Sequence, residues 1–283
     1  ELGCRMAVCY AATERNGGRA EAKAGLAESR RFIKKNKRTL VRGLVGLHAG
    51  FAVTDEPIED AGALARELSV PLHVHVAEDG VDVEAARERG YRDPVDRLLA
   101  LDALPVGSIL VHGVHLDEKA VKRAAEAGAW IVQNPRSNRN AKVGWPYALW
   151  KSDKVALGTD GLPPDMDAER QALLDIGGDA QDRKLLPGGK SGARYDRRGN
   201  AGWELAREIF GVPFAPLEAG SMADVTIYAR HDMPGLPTEL PLHVVVGGRV
   251  SLRDWKLTNG DFHEIAAEAR TEARRLWKRM EKL

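Results

Sequence analysis

The stretch Pro71-Leu72-His73-Val74-His75-Val76-Ala77-Glu78 decides how the rest of the chain is read. It is a short, mostly apolar run bounded by a proline, too short for a helix and suited to a strand buried on both faces. Side chains alternate along a strand, so His73 and His75 share a face and Glu78 falls just beyond the strand's end. An imidazole and a carboxylate converging there suit a metal ligand and a proton-transfer group. For this motif alone, a pair of structural histidines remains the equal alternative.

Outward from this strand the same unit repeats. Strands are expected at Cys4–Ala11, Leu44–Phe51, Pro71–Val76, Ser108–Val111, Trp130–Gln133 and Val155–Gly158. Amphipathic helices are expected between them, over Gly18–Asn36, Ile58–Leu68, Val81–Ala103 and Glu118–Ala127, with a helical turn near Pro146–Trp150 and a further helix from about Ala168. Alternating strands and helices of this length give a parallel sheet, open or closed. His48, His75, His112, Asn134 and Asp160 all fall at C-terminal strand ends. Polar chemistry gathered from many strand ends marks a (β/α)8 barrel, whereas an open sheet gathers it at one switch point. The expected fold is therefore an α/β, TIM-type barrel over residues 1–210, with six strands counted as the third to eighth and two more placed ahead of Glu1.

Residues 177–202 are rich in Gly, Lys and Arg and read as a mobile loop. Beyond it come a short helix at Trp203–Phe210, short strands within Leu217–Tyr228 and Leu242–Val250, and an amphipathic helix from Phe262 to Leu283. Residues 211–283 are thus expected to form part of a small β-sandwich with a terminal helix.

Three more signals join the first. His112 ends the apolar strand of Leu110-Val111-His112-Gly113-Val114-His115, Asp160 stands between glycines in Leu157-Gly158-Thr159-Asp160-Gly161, and Asn134-Pro135-Arg136-Ser137-Asn138 reads as a polar turn over the strand ends. A lone Asp after a strand is more often a turn or cap residue. The set arriving in order on successive strands is what carries weight. Such a site holds one divalent ion and sets an acid and a base beside a substrate.

Composition narrows the partners. The 283 residues carry a net charge of +1, with 43% hydrophobic and 29% charged residues, which gives no reason to expect nucleic acid or membrane as a partner. The basic run Lys34-Lys35-Asn36-Lys37-Arg38 sits at an expected helix C-terminus, where cations favour the dipole. No segment approaches the roughly 18 apolar residues of a membrane span, and no leader is evident, so the expected location is cytoplasmic. Cys4 and Cys9 form no CxxC pair and are expected to be buried, unpaired thiols. No Pro-Cys-x-x-Cys, GxxxxGK[ST] or HExxH motif occurs.

The order His75-x-x-Glu78, Val111-His112-x-Val114-His115-Leu116, Asn134-Pro135-x-Ser137-Asn138 and Leu157-Gly158-Thr159-Asp160-Gly161 resembles the amidohydrolase superfamily, in its cytosine/guanine-deaminase and triazine-chlorohydrolase branch. Gly46-Leu47-His48-Ala49-Gly50-Phe51 and Asn134–Asn138 look most like SsnA-type aminohydrolases, and Ala219–Asp224 resembles the entry to the family's small β-sandwich. The resemblance implies His75 and Asp160 as metal ligands, Glu78 as the proton shuttle, His112 beside the reacting water, Asp160 also as its base, and His48 and Asn138 as substrate contacts. It implies one divalent ion, zinc before iron, a small-molecule heterocyclic substrate and a homodimer. The implied reaction is hydrolytic deamination of an amino-substituted purine, pyrimidine or pterin. Dechlorination of a similar ring, or an incomplete or non-catalytic chain, are the alternatives. The family's first-strand His-x-His is not among these residues, so weak metal binding and a truncated start are expected.

Overall fold

The computed structural model describes residues 3–176, 191–214, 217–230 and 239–281. The chain divides into two compact units, Ala7–Val212, and Glu1–Met6 with Pro213–Leu283.

The first unit is built on a six-stranded parallel sheet in the order β2-β4-β5-β6-β7-β8. Its strands are β2 (Ala11–Ala12), β4 (Val45–Ala49), β5 (Leu72–Val76), β6 (Ile109–His112), β7 (Trp130–Gln133) and β8 (Val155–Leu157), and β1 (Met6–Val8) pairs separately with β3 (Val41–Gly43). The connections are helical: α1 (Gly18–Lys35), α2 (Asp55–Leu68), α3 (Gly80–Glu88), α4 (Pro94–Ala100), α5 (Glu118–Glu126) and α6 (Pro135–Ala141), with α7 (Met166–Ile176) after β8. Aspartates start several of them. Asp79, Asp93 and Asp117 each accept a hydrogen bond from a first-turn amide, satisfying donors a helix start leaves open, and Pro94 follows where its missing N–H costs nothing.

The pleat sorts the sheet into two faces. Leu47, Leu72, Val74, Val76, Leu110, Ile131 and Val155 pack in one core with Ile58, Ala61 and Leu64 of α2, Leu98 of α4 and Val121 of α5. On the other face Leu44, Ile109 and Val111 form a second cluster with Val132, Leu205 and Ile209. Register places His73 beside Ile109 and His75 beside Val111, so both histidines belong to this second face, the one a closed barrel turns inward.

Several expectations are corrected. Of the loop expected over residues 177–202, residues 177–190 lie outside the described residues, but Ser191–Phe210 is one helix, α8. It is held because Leu205 and Ile209 cover the inner face of the sheet and Trp130 Nε1–H donates to Glu208 at 2.6 Å; tertiary burial overrides the glycines. The strand expected over Cys4–Ala11 is two short pieces belonging to different sheets. Both cysteines are unpaired but exposed, not buried. The polar turn at Asn134–Asn138 opens a helix, α6, with Pro135 at its first position.

The second unit holds an antiparallel sheet in the order β12-β11-β10-β9, from β9 (Val225–Arg230), β10 (Glu239–Val246), β11 (Arg249–Arg253) and β12 (Lys256–Leu257), followed by α9 (Phe262–Met280). Gly247 and Gly248, both at positive φ, make the two-residue β10–β11 turn. Asp224 accepts two hydrogen bonds from Arg5, at 2.7 and 3.0 Å, and one from Gly247 N–H. Among the described residues no helix is long and apolar enough to cross a membrane.

Candidate metal-binding active site

Four strand exits build the site. β4 presents His48, β5 presents His75 and then Glu78, β6 ends on His112, and the loop after β8 carries Asp160. His75, Glu78 and His112 bring one donor atom each within 4.8 Å of one another. The His75 and His112 rings meet edge to face at 5.2 Å between centroids, and His112 Nε2 lies 3.5 Å from Glu78 Oε2. His48 stands 6.0 Å and His73 6.2 Å from the His75 ring, so three imidazoles pack around that of His75.

Backbone conformation makes this possible. Ala77, His112 and Asp160 all have left-handed backbone, with φ of +49°, +74° and +52°. Such conformations are costly for residues other than glycine and persist where the surroundings enforce them. At His112 the consequence is direct. It pairs with Val76 and follows Val111, so alternation alone would send its ring away from His75, into the core behind the sheet. The left-handed turn brings it back to the mouth.

His112 is buried and oriented from behind. Its Nδ1 lies 2.9 Å from Asn138 Oδ1 and 3.2 Å from Asn134 Nδ2. We assign the proton to Nδ1, donating along the shorter contact, which leaves Nε2 with a free lone pair aimed at Glu78 and His75. Asn138 is fully buried, and its Nδ2 has no hydrogen-bond partner among the described residues. Its carbonyl oxygen serves His112; any contact with a substrate would fall to that amide nitrogen.

Asp160 is not one of the three clustered donors; its Oδ2 accepts a short hydrogen bond from Ser137 Oγ. Partial burial pushes its carboxyl up, but Ser137, the Gly161 N–H and the nearby His112 and His75 outweigh this and hold it below the usual carboxylate range. Ser137 is a residue that sequence reasoning passed over; its place in the Asn-Pro-x-Ser-Asn stretch was the available signal. Arg136 beside it pairs with the fully buried Glu169 at 2.6 Å and donates to Pro163 O, tying α6 to α7 and to the loop after Asp160.

The imidazoles favour their neutral forms. Burial, then the neighbouring His112 and His73, push His75 down to about 4 against the opposing pull of Asp160. Burial likewise lowers His73, and burial followed by Arg15 lowers His48. Neutral rings are the ligating form. A consequence can be measured in the metal-free chain. Unfolded, His75 titrates near 6.5, so below that pH the unfolded state binds the extra proton and the folded state does not. The stability His75 contributes is complete above pH 6.5 and falls as pH drops towards 4, by at most about 3 kcal/mol. Denaturant melts at pH 7 and pH 4.5 should show this loss shrinking in His75→Gln; an unchanged slope would refute the shift.

Residues 2–207 match the amidohydrolase family. The chain belongs to that family. It is 28% identical over 256 residues to a 5-methylthioadenosine/S-adenosylhomocysteine deaminase of Haloquadratum walsbyi, covering 82% of this chain and 56% of that protein. It is 29% identical to a protein of the same name from Symbiobacterium thermophilum, covering 92% of this chain and 64% of the other. The chain therefore spans between about half and two thirds of these relatives. Among solved structures, an adenosine deaminase from Xanthomonas campestris with bound zinc superposes with a TM-score of 0.70 at 23% identity, covering 98% of this chain and 67% of that one. Atrazine chlorohydrolase from Arthrobacter aurescens, complexed with zinc, gives 0.70 at 20% identity, covering 95% and 66%. These likenesses establish the fold: the amidohydrolase's six parallel strands belong to the TIM-type α/β barrel expected from sequence.

Proposed function

We propose that this amidohydrolase removes an amino group hydrolytically from an amino-substituted N-heterocycle, with a 6-aminopurine nucleoside as the first candidate. The observation that carries the reading is the His75–Glu78–His112 cluster at the strand exits of an amidohydrolase chain. The names of the sequence relatives favour a heterocycle of the adenosine type.

The donor set fits a catalytic metal. Two imidazoles and a carboxylate whose donor atoms lie within 4.8 Å of one another match the chemistry of an open zinc site, and neutral His75 is ready to bind. His75 and Glu78 would hold the ion, with Asp160 alongside as the ligand expected from sequence, and His112 would stay free for the water. Zinc is the first choice and iron the second, since nitrogen and oxygen donors serve both. When bound, the ion supplies Lewis-acid chemistry that lowers the pKa of a water to about 7.

The chain's own residues do the rest. Asp160, held ionised, accepts the proton of the attacking water. Glu78 passes a proton to the ring nitrogen next to the attacked carbon, so that ammonia can leave. His112, fixed by Asn138, orients the water, and His48 at the mouth contacts the heterocycle. The homodimer is proposed on family likeness, and the cytoplasmic location on the sequence expectation.

The test is ammonia release from adenosine and its 5′-modified analogues by the zinc-loaded chain, followed by chelator treatment. Turnover that a chelator abolishes and added zinc restores is the expected result. No ammonia from any aminated purine nucleoside, pyrimidine or pterin would overturn the reading.

A further inference from the structure

Behind the site lies a buried charge cluster that the reaction outlined above does not use. Asp82, in the first turn of α3, is 3% exposed, and Arg97 of α4 is 1% exposed. Asp82 Oδ2 accepts the N–H of Ala77 at 2.7 Å, and the N–H of Phe51 faces the same carboxylate. The Ala77 carbonyl in turn accepts the N–H of His115 at 2.9 Å. The peptide just ahead of Glu78 is therefore gripped on both sides while Ala77 sits in left-handed backbone.

The same carboxylate reaches the exit of β4. A Cβ at Gly50 would lie 2.7 Å from Asp82 Oδ1, so only glycine allows this approach. Arg97 completes the junction: it donates to Gly50 O at 2.7 Å, to Val53 O at 3.0 Å and to Asp55 Oδ1 at 2.8 Å. Asp82, Gly50 and Arg97 line a cavity of about 10 Å³ with Leu47, Ile58, Val74, Val76 and Leu98, room for about one water. A buried carboxylate is expensive unless its oxygens are used. This carboxylate is bonded to the Ala77 amide and faces that of Phe51, one from each strand exit that feeds the site.

We propose that Asp82 is a positioning residue: by holding the Ala77 amide it fixes the turn that aims Glu78 at His112 and His75. The inference deepens the reading of the site as a metal centre and rests on it, but not on deamination. The variant is Asp82→Asn, which keeps the shape and can accept only one of the two amide hydrogens without setting its own N–H₂ against the other. Partners that orient a ligand are worth about 10–100-fold in metal affinity.

The experiment is a double-mutant cycle read as zinc affinity, by competition with a chromophoric chelator, on wild type, D82N, Glu78→Gln and the double variant, each confirmed folded by circular dichroism. D82N should weaken zinc binding about tenfold or more, and the double variant should bind no worse than E78Q, because Asp82 acts through Glu78. Additive losses, an unchanged affinity in D82N, or a loss in D82N without one in E78Q would each overturn the proposal. A variant Asp82→Ser, which retains an acceptor in less volume, serves if D82N does not fold and is judged by the same cycle. Because zinc affinity is read without substrate, a chain that binds zinc with the expected coupling yet releases no ammonia would refute the proposed activity and leave this inference standing.

Discussion

Glu78→Gln is expected to lower kcat/KM for ammonia release by about 10²–10⁴-fold, the usual worth of a positioned proton-transfer group. Glutamine keeps the length and shape of the side chain, and Glu78 is partly exposed at the mouth, so the fold should tolerate the change. What is lost is the only group in the cluster that combines a carboxylate with access to solvent and lies 3.5 Å from His112 Nε2. The same substitution removes a donor from the three-residue cluster, so zinc should dissociate more readily. Steady-state kinetics at saturating zinc separate the two effects: restored kcat at high zinc would mean that Glu78 serves only as a ligand, and would remove it from proton transfer.

Arg136→Ala is expected to be the most damaging single change to stability. Glu169 is fully buried, and Arg136 supplies both a backbone N–H at 3.0 Å and the guanidinium at 2.6 Å. Alanine keeps the first and deletes the second, leaving a buried carboxylate short of its counter-charge, at a cost of about 3–5 kcal/mol. For a domain of this size that is a fall in Tm of roughly 6–20 °C. The lost bond to Pro163 O also frees the loop that carries Asp160. Adding Glu169→Gln should recover part of the loss, since the uncompensated charge is then gone. Thermal melts of the single and double variants check this; equal melting of Arg136→Ala and wild type would show that the pair contributes nothing.

Much of the site was legible in the sequence because period-two alternation and strand ends are local. His75 could be placed on one face of a strand and Glu78 just beyond its end from Pro71–Glu78 alone, and the structure puts them within reach of one ion. Asp82 was not legible, for an acidic residue in a helix's first turn reads as an exposed cap until its burial is known. The helix at Trp203–Phe210 was expected, but its extension back over residues 191–202 was missed because that glycine- and arginine-rich composition argues for a loop, and only the apolar face of the sheet supplies its reason to fold.

By itself the sequence determined the repeating strand–helix order, the parallel sheet and the order in which chemical side chains reach its edge, since these follow from residue-by-residue patterning. Tertiary structure alone decided how they converge. The left-handed turns at Ala77, His112 and Asp160, with φ of +49°, +74° and +52°, are unfavourable locally, and their surroundings hold them, Asp82 bonding to Ala77, Asn138 to His112 and Ser137 to Asp160. No local preference encodes a conformation that only its surroundings make affordable.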